Sequence, residues 1–395
     1  MKNLIFSLLI FHVTFVFAQE KTWKGIDEQG QELFEIQAKQ VSSFKDGMAR
    51  VVKLVTMGNK IYSLEGFIDN SGRLIIEPQY DKIKGTGFVN GRAWVKKKGD
   101  KYWTLIDKRG NIIPTKNYEN VGYIFPFNKS VTAVYENRRM GFIDYNGVEV
   151  IPCKYVGASA FEEGLANVAE YDRQNYFGFI NEQGEVVIPF KYKQTGTANF
   201  MKSGFARVKI GGQSALIDKT GNVVIKTSKG NIQGVSNNWI RLFTGNMLNN
   251  WGFMDFNEEF KIKPIYESLS DFDEYGHAVA EKGGLKGLID TQGNTVLDFK
   301  YSAISSRPQE DGYYRAEYPS DYSSSKRRVD YFTTSLKKME NSQVLHIYPA
   351  EGGRLIPFSN IDKKHGYLNR NFEIAIPAIY SDSYPFNDGL ALVAE

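Results

Sequence analysis

The chain has 395 residues, a formal charge of +4, 42% hydrophobic and 14% aromatic content, and a single cysteine. A balance so near neutral over this length gives no charge argument for nucleic acid or an acidic membrane surface, and one cysteine excludes an intramolecular disulfide. Stability must come from burial, for which the apolar content suffices.

The first element is a leader. Residues 1–18, MKNLIFSLLIFHVTFVFA, place Lys2 ahead of an apolar run and end in Val16-Phe17-Ala18 before Gln19. The run is short for a spanning helix, and the polar QEKTWKG that follows offers no stop-transfer flank, so the pattern predicts a cleaved signal peptide. The mature chain is expected to be exported (periplasmic, outer-surface or secreted), with no transmembrane anchor after cleavage. No cysteine near the cleavage site invites a lipid anchor.

Residues 19–301 are a tandem array. An apolar pair, an Asp or Asn, and a Gly three residues later recur at Ile26-Asp27 with Gly30, Ile68-Asp69 with Gly72, Ile106-Asp107 with Gly110, and Ile143-Asp144 with Gly147. The series continues at Ile180-Asn181 with Gly184, Ile217-Asp218 with Gly221, and Ile289-Asp290 with Gly293; Asp255 and, further on, Asn369 lack the Gly. The period is about 37 residues, the signature of a repeat architecture. After each turn comes an apolar run that often carries Pro and then Tyr, as in Ile151-Pro152 with Tyr155 and Ile188-Pro189 with Tyr192. A second signature, an aromatic residue before a Gly bend and a small residue, appears at Phe44, Phe88, Phe161 and Phe386, and an aromatic holds the corresponding place at Phe127, Phe200 and Phe272. Their fixed place in each unit assigns these rings to a core between sheets.

Each unit thus shows three short apolar segments, rich in Val, Ile, Phe and Tyr and bounded by turn residues, which read as strands. The Asp is expected to cap a type I turn, the Gly to supply positive φ, and the Pro to end the strand leaving the hairpin.

Between residues 302 and 365 the pattern dissolves into a Tyr- and Ser-rich stretch, read as one divergent repeat with an insertion, in which Glu351–Pro357 looks like the turn and strand of a decayed unit. Residues 366–395 are the last repeat. They finish in GLALVAE, which elsewhere precedes the half-unit with which the mature chain begins, KTWKGIDEQG. This complementarity favours a closed, propeller-like all-β array in which the last repeat pairs with the N-terminal strand. An open β-superhelix is the alternative, because nine or ten units exceed the usual number of blades.

Trp251-Gly252-Phe253-Met254-Asp255 and the recurring G-F-I-D-x-x-G-x-x-V-I-P-x-x-Y resemble the bacterial WG-repeat (KWG-repeat) family. The Trp-Gly pair is literal only there; Glu65, Met140, Phe177, Lys286 and His365 precede Gly elsewhere, and Thr104 and Ala215 replace the Gly. The resemblance implies a β-repeat scaffold with binding as its expected role, and it carries no catalytic residues over.

No chemical constellation emerges from the residues themselves. His277, His346 and His365 have no metal-ligand or nucleophile-activating spacing, and no cofactor motif occurs. One Asp per unit reads as a turn residue rather than a calcium ligand, and Cys153 as a structural thiol. The sequence therefore predicts a non-enzymatic scaffold, without metal or cofactor, whose loops bind a protein or cell-envelope component; a polysaccharide-binding module and, further back, a glycan-acting enzyme are the alternatives. Candidate contacts are the basic and aromatic residues of the divergent stretch, Tyr322, Lys326, Arg327, Arg328, Tyr331, Lys337 and Lys338.

Overall fold

The computed structural model describes residues 20–122, 131–170, 176–193, 199–245, 250–305, 308–320 and 328–395. The leader, Phe127, Tyr322, Lys326 and Arg327 lie outside them.

Each repeat folds into a small antiparallel sheet, and ten such sheets follow one another as the blades of a closed β-propeller. With the blades numbered in chain order from the one that holds Lys21–Asp27, the unit after residue 40, blade 2, is representative. Gln40–Val41 pairs with Met48–Met57, that strand with Lys60–Asp69, and the last with Leu74–Tyr80. We call these positions a, b, c and d. Among the described residues eight sheets have all four, the sheet of residues 206–227 lacks a, and that of residues 303–332 lacks d. Strand a was hidden in the sequence because it is usually two residues, as in Lys82–Ile83 and Ser268–Leu269, too short to show alternation.

The c–d turn is built as its residues dictate. Asp69 Oδ1 accepts the backbone N–H groups of Ser71 and Arg73 at 2.9 and 3.1 Å, and Gly72, at φ 77°, donates to the Asp69 carbonyl at 3.0 Å. The same two carboxylate or amide bonds recur at Asp107, Asp144, Asn181, Asp218, Asp255, Asp290 and Asn369. Where Gly is missing, Glu258 and Phe372 hold its left-handed conformation at φ 64°.

The Pro does not end its strand. Pro78, Pro152, Pro189, Pro264 and Pro377 all lie inside strand d. Between Phe67↔Ile76 and Glu65↔Tyr80 strand d spends four residues where strand c spends two, so Pro78 sits in a bulge on the sheet's outer edge and withholds no ladder hydrogen bond. That bulge also explains the Gly of the Trp-Gly pair. A Cβ on Gly66, Gly141, Gly178, Gly252 or Gly366 would lie 2.4–2.6 Å from the carbonyl oxygen of the Ile one or two residues before the Pro. Blade 6 escapes the constraint: Ser214↔Thr227, Ala215↔Lys226 and Leu216↔Ile225 run in regular register, and Ala215 is accommodated.

The cores lie between blades. The c-strand aromatic of one unit packs edge-on or offset against the a–b aromatic of the next, at 4.7 Å for Phe67–Phe88, 5.0 Å for Phe142–Phe161, 4.9 Å for Phe179–Phe200 and 4.6 Å for Phe253–Phe272. Phe44, Phe88, Phe161, Phe200, Phe272 and Phe386 are all buried, as the repeat position predicted.

The two chain ends share one blade. Asp382–Ser383 and Leu390–Ala394 supply strands a and b, Lys21–Asp27 and Glu32–Ala38 supply c and d, and Trp23↔Ala394 through Asp27↔Leu390 join the halves. Residues 302–365 are divided between two blades rather than forming one: residues 303–332 make the ninth, and His346–Ile347 with Ile356–Ser359 open the tenth. Glu351-Gly352-Gly353 is accordingly an a–b turn, not a c–d turn. Pro308–Asp311 adds a single helical turn.

Candidate binding face

The loops joining strands a and b converge on one face of the ring, and there two adjoining clefts share Lys45, Gly85 and Thr86. The first, about 290 Å³, is also lined by Lys84, Arg92, Trp94 and Thr132 from blades 3 and 4. Among its described lining residues there is no carboxylate. Lys84 is partly buried, which lowers its pKa, and its Nζ lies 5.3 Å from the Trp103 ring centroid and 3.4 Å from Asn120 Oδ1. Trp94 is 4% exposed and its indole N–H has no hydrogen-bond partner. Arg92 is fixed by donating to the Tyr145 carbonyl at 2.8 Å. The cleft is therefore rich in donors and cationic groups, suited to an acceptor-bearing or anionic group.

The second cleft, about 360 Å³, spans the closure seam and brings Glu351, Asp388, Asp46 and Arg50 together. Its acids are engaged in holding the ring. Asp388 Oδ2 accepts the Gly47 N–H at 2.8 Å, Asp46 accepts the Gly91 N–H and the Lys108 ammonium, and Glu351 accepts the Ser43 hydroxyl at 3.3 Å.

Of the residues singled out in the divergent stretch, Arg328, Tyr331, Lys337 and Lys338 are among the described residues. Tyr331 is 8% exposed and packs edge-on against Tyr313 at 5.6 Å, a core position in place of the expected surface contact. Lys338 pairs with Asp330 at 3.0 Å, and the same carboxylate accepts the hydroxyls of Tyr301 and Tyr318. Arg328 is exposed and its guanidinium stacks 4.2 Å over Tyr318; Lys337 is exposed.

Two clusters were invisible to sequence spacing because one crosses a blade boundary and the other joins strands b and d across strand c. The Tyr314 hydroxyl donates to Asp273 Oδ2 at 2.5 Å and lies 2.9 Å from His277 Nδ1, tying blade 9 to blade 8. Glu136, Glu149 and Cys153 bring three ligand atoms within 4.8 Å of one another in blade 4. Burial, then the Glu149 and Glu136 carboxylates, push the Cys153 thiol up to about 11. As a nucleophile in the absence of another cation it is poor, in keeping with a structural thiol.

The sequence matches no curated protein. Among solved structures it is similar to the eukaryotic initiation factor (8% identity, 82% of this chain and 96% of that one, TM-score 0.42). It is also similar to BamB from Moraxella catarrhalis (12%, 71% and 93%, TM-score 0.32) and to AztD from Citrobacter koseri (12%, 81% and 94%, TM-score 0.28). The model of the WG containing repeat matches residues 26–53, 66–102, 140–172, 177–213, 251–285, 287–318 and 366–395, more than half of the chain. The chain belongs to the WG-repeat family.

Proposed function

We propose that this protein is an exported, non-catalytic interaction propeller that takes a carboxylate-bearing segment of a protein or cell-envelope partner on its a–b face. The observation that carries the reading is the first cleft: Lys45, Lys84, Arg92 and Trp94 converge on it and no described lining residue is an acid. Acidic side chains or a chain terminus would find several preorganised donors there, and the neighbouring cleft extends the track across the seam. A polysaccharide platform needs neighbouring aromatic faces open to solvent, whereas Trp23 and Trp94 are buried, Trp103, Trp239 and Trp251 are half-buried, and the exposed Tyr176, Tyr275 and Tyr348 belong to three different blades.

The test is crosslinking and affinity capture in the native cell envelope with the wild type, the Lys45→Glu, Lys84→Gln double variant, and the Lys226→Glu control on exposed strand d of blade 6. A partner retained by wild type and control but lost from the double variant, and displaced by an acidic peptide, is expected. Equal capture by all three, or turnover on a hydrolase panel abolished by one point mutation, would overturn it.

A further inference from the structure

Blade 4 brings three ligand-bearing residues together on one surface. Where strand d of other units begins with Leu74, Val186, Val223 or Phe260, this unit has Glu149, a place that also holds an acid, Glu32, in blade 1; two residues after the core Ile, where others have Pro78, Phe190 or Pro264, it has Cys153. Glu136 closes strand b on the far side of strand c. The three meet because Gly141 lies between them. It pairs with Val134 in strand b, and with no side chain there the Cys153 thiol reaches over strand c to within 3.8 Å of the Val134 carbonyl.

Two polar atoms at this spot lack partners. Glu149 Oε1 accepts the Lys116 ammonium at 2.9 Å, while its Oε2 is buried and makes no well-aligned hydrogen bond. Tyr118, contributed by blade 3 and 0% exposed, faces Glu149, Cys153 and Glu136; its buried hydroxyl is near enough to Glu149 to interact with that carboxylate, yet it makes no well-aligned hydrogen bond. A buried carboxylate oxygen and a buried phenol left open together are costly unless something joins them. Tyr155, the equivalent tyrosine one blade on, also has an unpartnered hydroxyl, but it neighbours Lys154 rather than two carboxylates and a thiol.

We propose that Glu136, Glu149 and Cys153 form a zinc site, with Glu149 Oε2, a Glu136 oxygen and the Cys153 sulfur as ligands and Tyr118 as donor to a bound water in the fourth position. One sulfur with two carboxylate oxygens suits Zn²⁺ better than Ca²⁺ or Mg²⁺, which take oxygen alone, or Cu(I), which takes soft ligands. Charge closes as well. Binding releases the thiol proton to solvent, so two carboxylates and a thiolate balance Zn²⁺ together with the Lys116 ammonium. Lys116 holds the second oxygen of Glu149 as an outer partner would. The site ties strand b to strand d within blade 4 and borrows Tyr118 from blade 3, so its role is structural reinforcement of that seam.

The experiment uses the purified mature protein stripped with EDTA and titrated with ZnCl₂ and CoCl₂. One equivalent of Co²⁺ should give a thiolate-to-cobalt charge-transfer band in the near ultraviolet, displaced by Zn²⁺, and Zn²⁺ should raise Tm. Cys153→Ser should abolish the band, and Glu136→Gln, at a half-exposed position that leaves the fold intact by circular dichroism, should weaken Zn²⁺ at least about tenfold. No band and no Tm shift in the wild type, the result if a water alone bridges Tyr118 and Glu149, would overturn the proposal. So would Zn²⁺ affinity unchanged in both variants.

Discussion

Lys108 reaches back from the c–d turn of blade 3 to place its Nζ 2.8 Å from Asp46 Oδ1 in the a–b turn of blade 2. The relationship recurs with different chemistry. The residue after the turn Asp meets the preceding blade's a–b turn as Lys219 to Glu163 at 2.8 Å, Tyr145 to Asn90 at 2.9 Å, Glu28 to Arg354 at 3.7 Å, and Phe256 against Phe205 at 5.4 Å between ring centroids. Polarity is reversed or dispensed with while the contact is kept, which marks it as a fastening between blades rather than a ligand site.

At the Lys108–Asp46 pair the two partners should not be equivalent. Both side chains are partly exposed, so Lys108→Met loses a screened ion pair and should cost at most about 1 kcal/mol. Asp46 also accepts the Gly91 N–H and stands at φ 55°, so Asp46→Ala should cost about 2 kcal/mol, while Asp46→Asn, which tolerates that conformation and keeps an acceptor, should cost less. Urea unfolding of the three variants decides it, and a Lys108→Met loss as large as that of Asp46→Ala would show the ion pair to be the dominant contact.

The glycine of the family signature should be intolerant of even one added carbon. Gly252→Ala would set a Cβ 2.6 Å from the Ile262 carbonyl oxygen, backbone that cannot swing aside, and should lower stability by about 1–3 kcal/mol. Ala215 occupies the same place in blade 6 without a bulge opposite, so Ala215→Gly should cost only about 1 kcal/mol through chain entropy. Thermal melts that rank the two in the reverse order would remove the bulge as the reason for the glycine.

The repeat was legible because its punctuation is local chemistry: Asp capping two N–H groups at each c–d turn, and an aromatic at each a–b turn, are decided within a few residues of sequence. The ring was legible only from its ends, where GLALVAE and KTWKGIDEQG are halves of one unit. What stayed hidden is what depends on the neighbouring blade. Lys45, Lys84 and Trp94 become a cleft, and Tyr118 meets Glu149, only once consecutive units are stacked. Pro78 looked like a strand terminator because its tolerance inside the strand comes from a bulge on an outer edge, a property of pairing and not of the residue. Lys338 suggested a binding contact because its charge is visible in sequence and its pairing with Asp330 is not.

The turn carboxylates make stability sensitive to acid. At Asp69, burial, which pushes the carboxyl up, is outweighed by hydrogen bonds from Ser71 and Arg73, and its pKa falls to about 2; Asp107, Asp218, Asp255 and Asp290 are lowered as well. A carboxyl depressed in the folded state contributes stability that is present above its unfolded value of about 4 and is lost as pH falls through the folded value. Stability should therefore decline between about pH 4 and pH 2. Replacing Asp69 and Asp107 by Asn, which Asn181 and Asn369 show to form the same turn, should flatten that decline. An unchanged slope in urea midpoint against pH would move the acid sensitivity elsewhere.

The closing blade should behave as a structural keystone and not as a frayed end. Leu390, Ala391, Leu392, Val393 and Ala394 are 7% exposed or less, and they feed two cores at once: Leu392 packs with Trp23, Val41 and Phe44 towards blade 2, and Val393 with Tyr367 and Tyr380 towards blade 10. Deleting residues 390–395 would uncover both cores and leave Lys21–Asp27 with one open edge, so Tm should fall far more than terminal trimming causes. Leu392→Ala alone should cost about 2–5 kcal/mol, because its neighbours come from opposite ends of the chain and cannot collapse onto the cavity without opening the ring. A disulfide between Cys variants of the paired Lys24 and Val393 should raise Tm in the oxidised protein by constraining the unfolded chain over nearly its whole length. If the deletion melts with the wild type and the crosslink does nothing, the seam does not hold the ring, and the neighbouring blades alone must keep it closed.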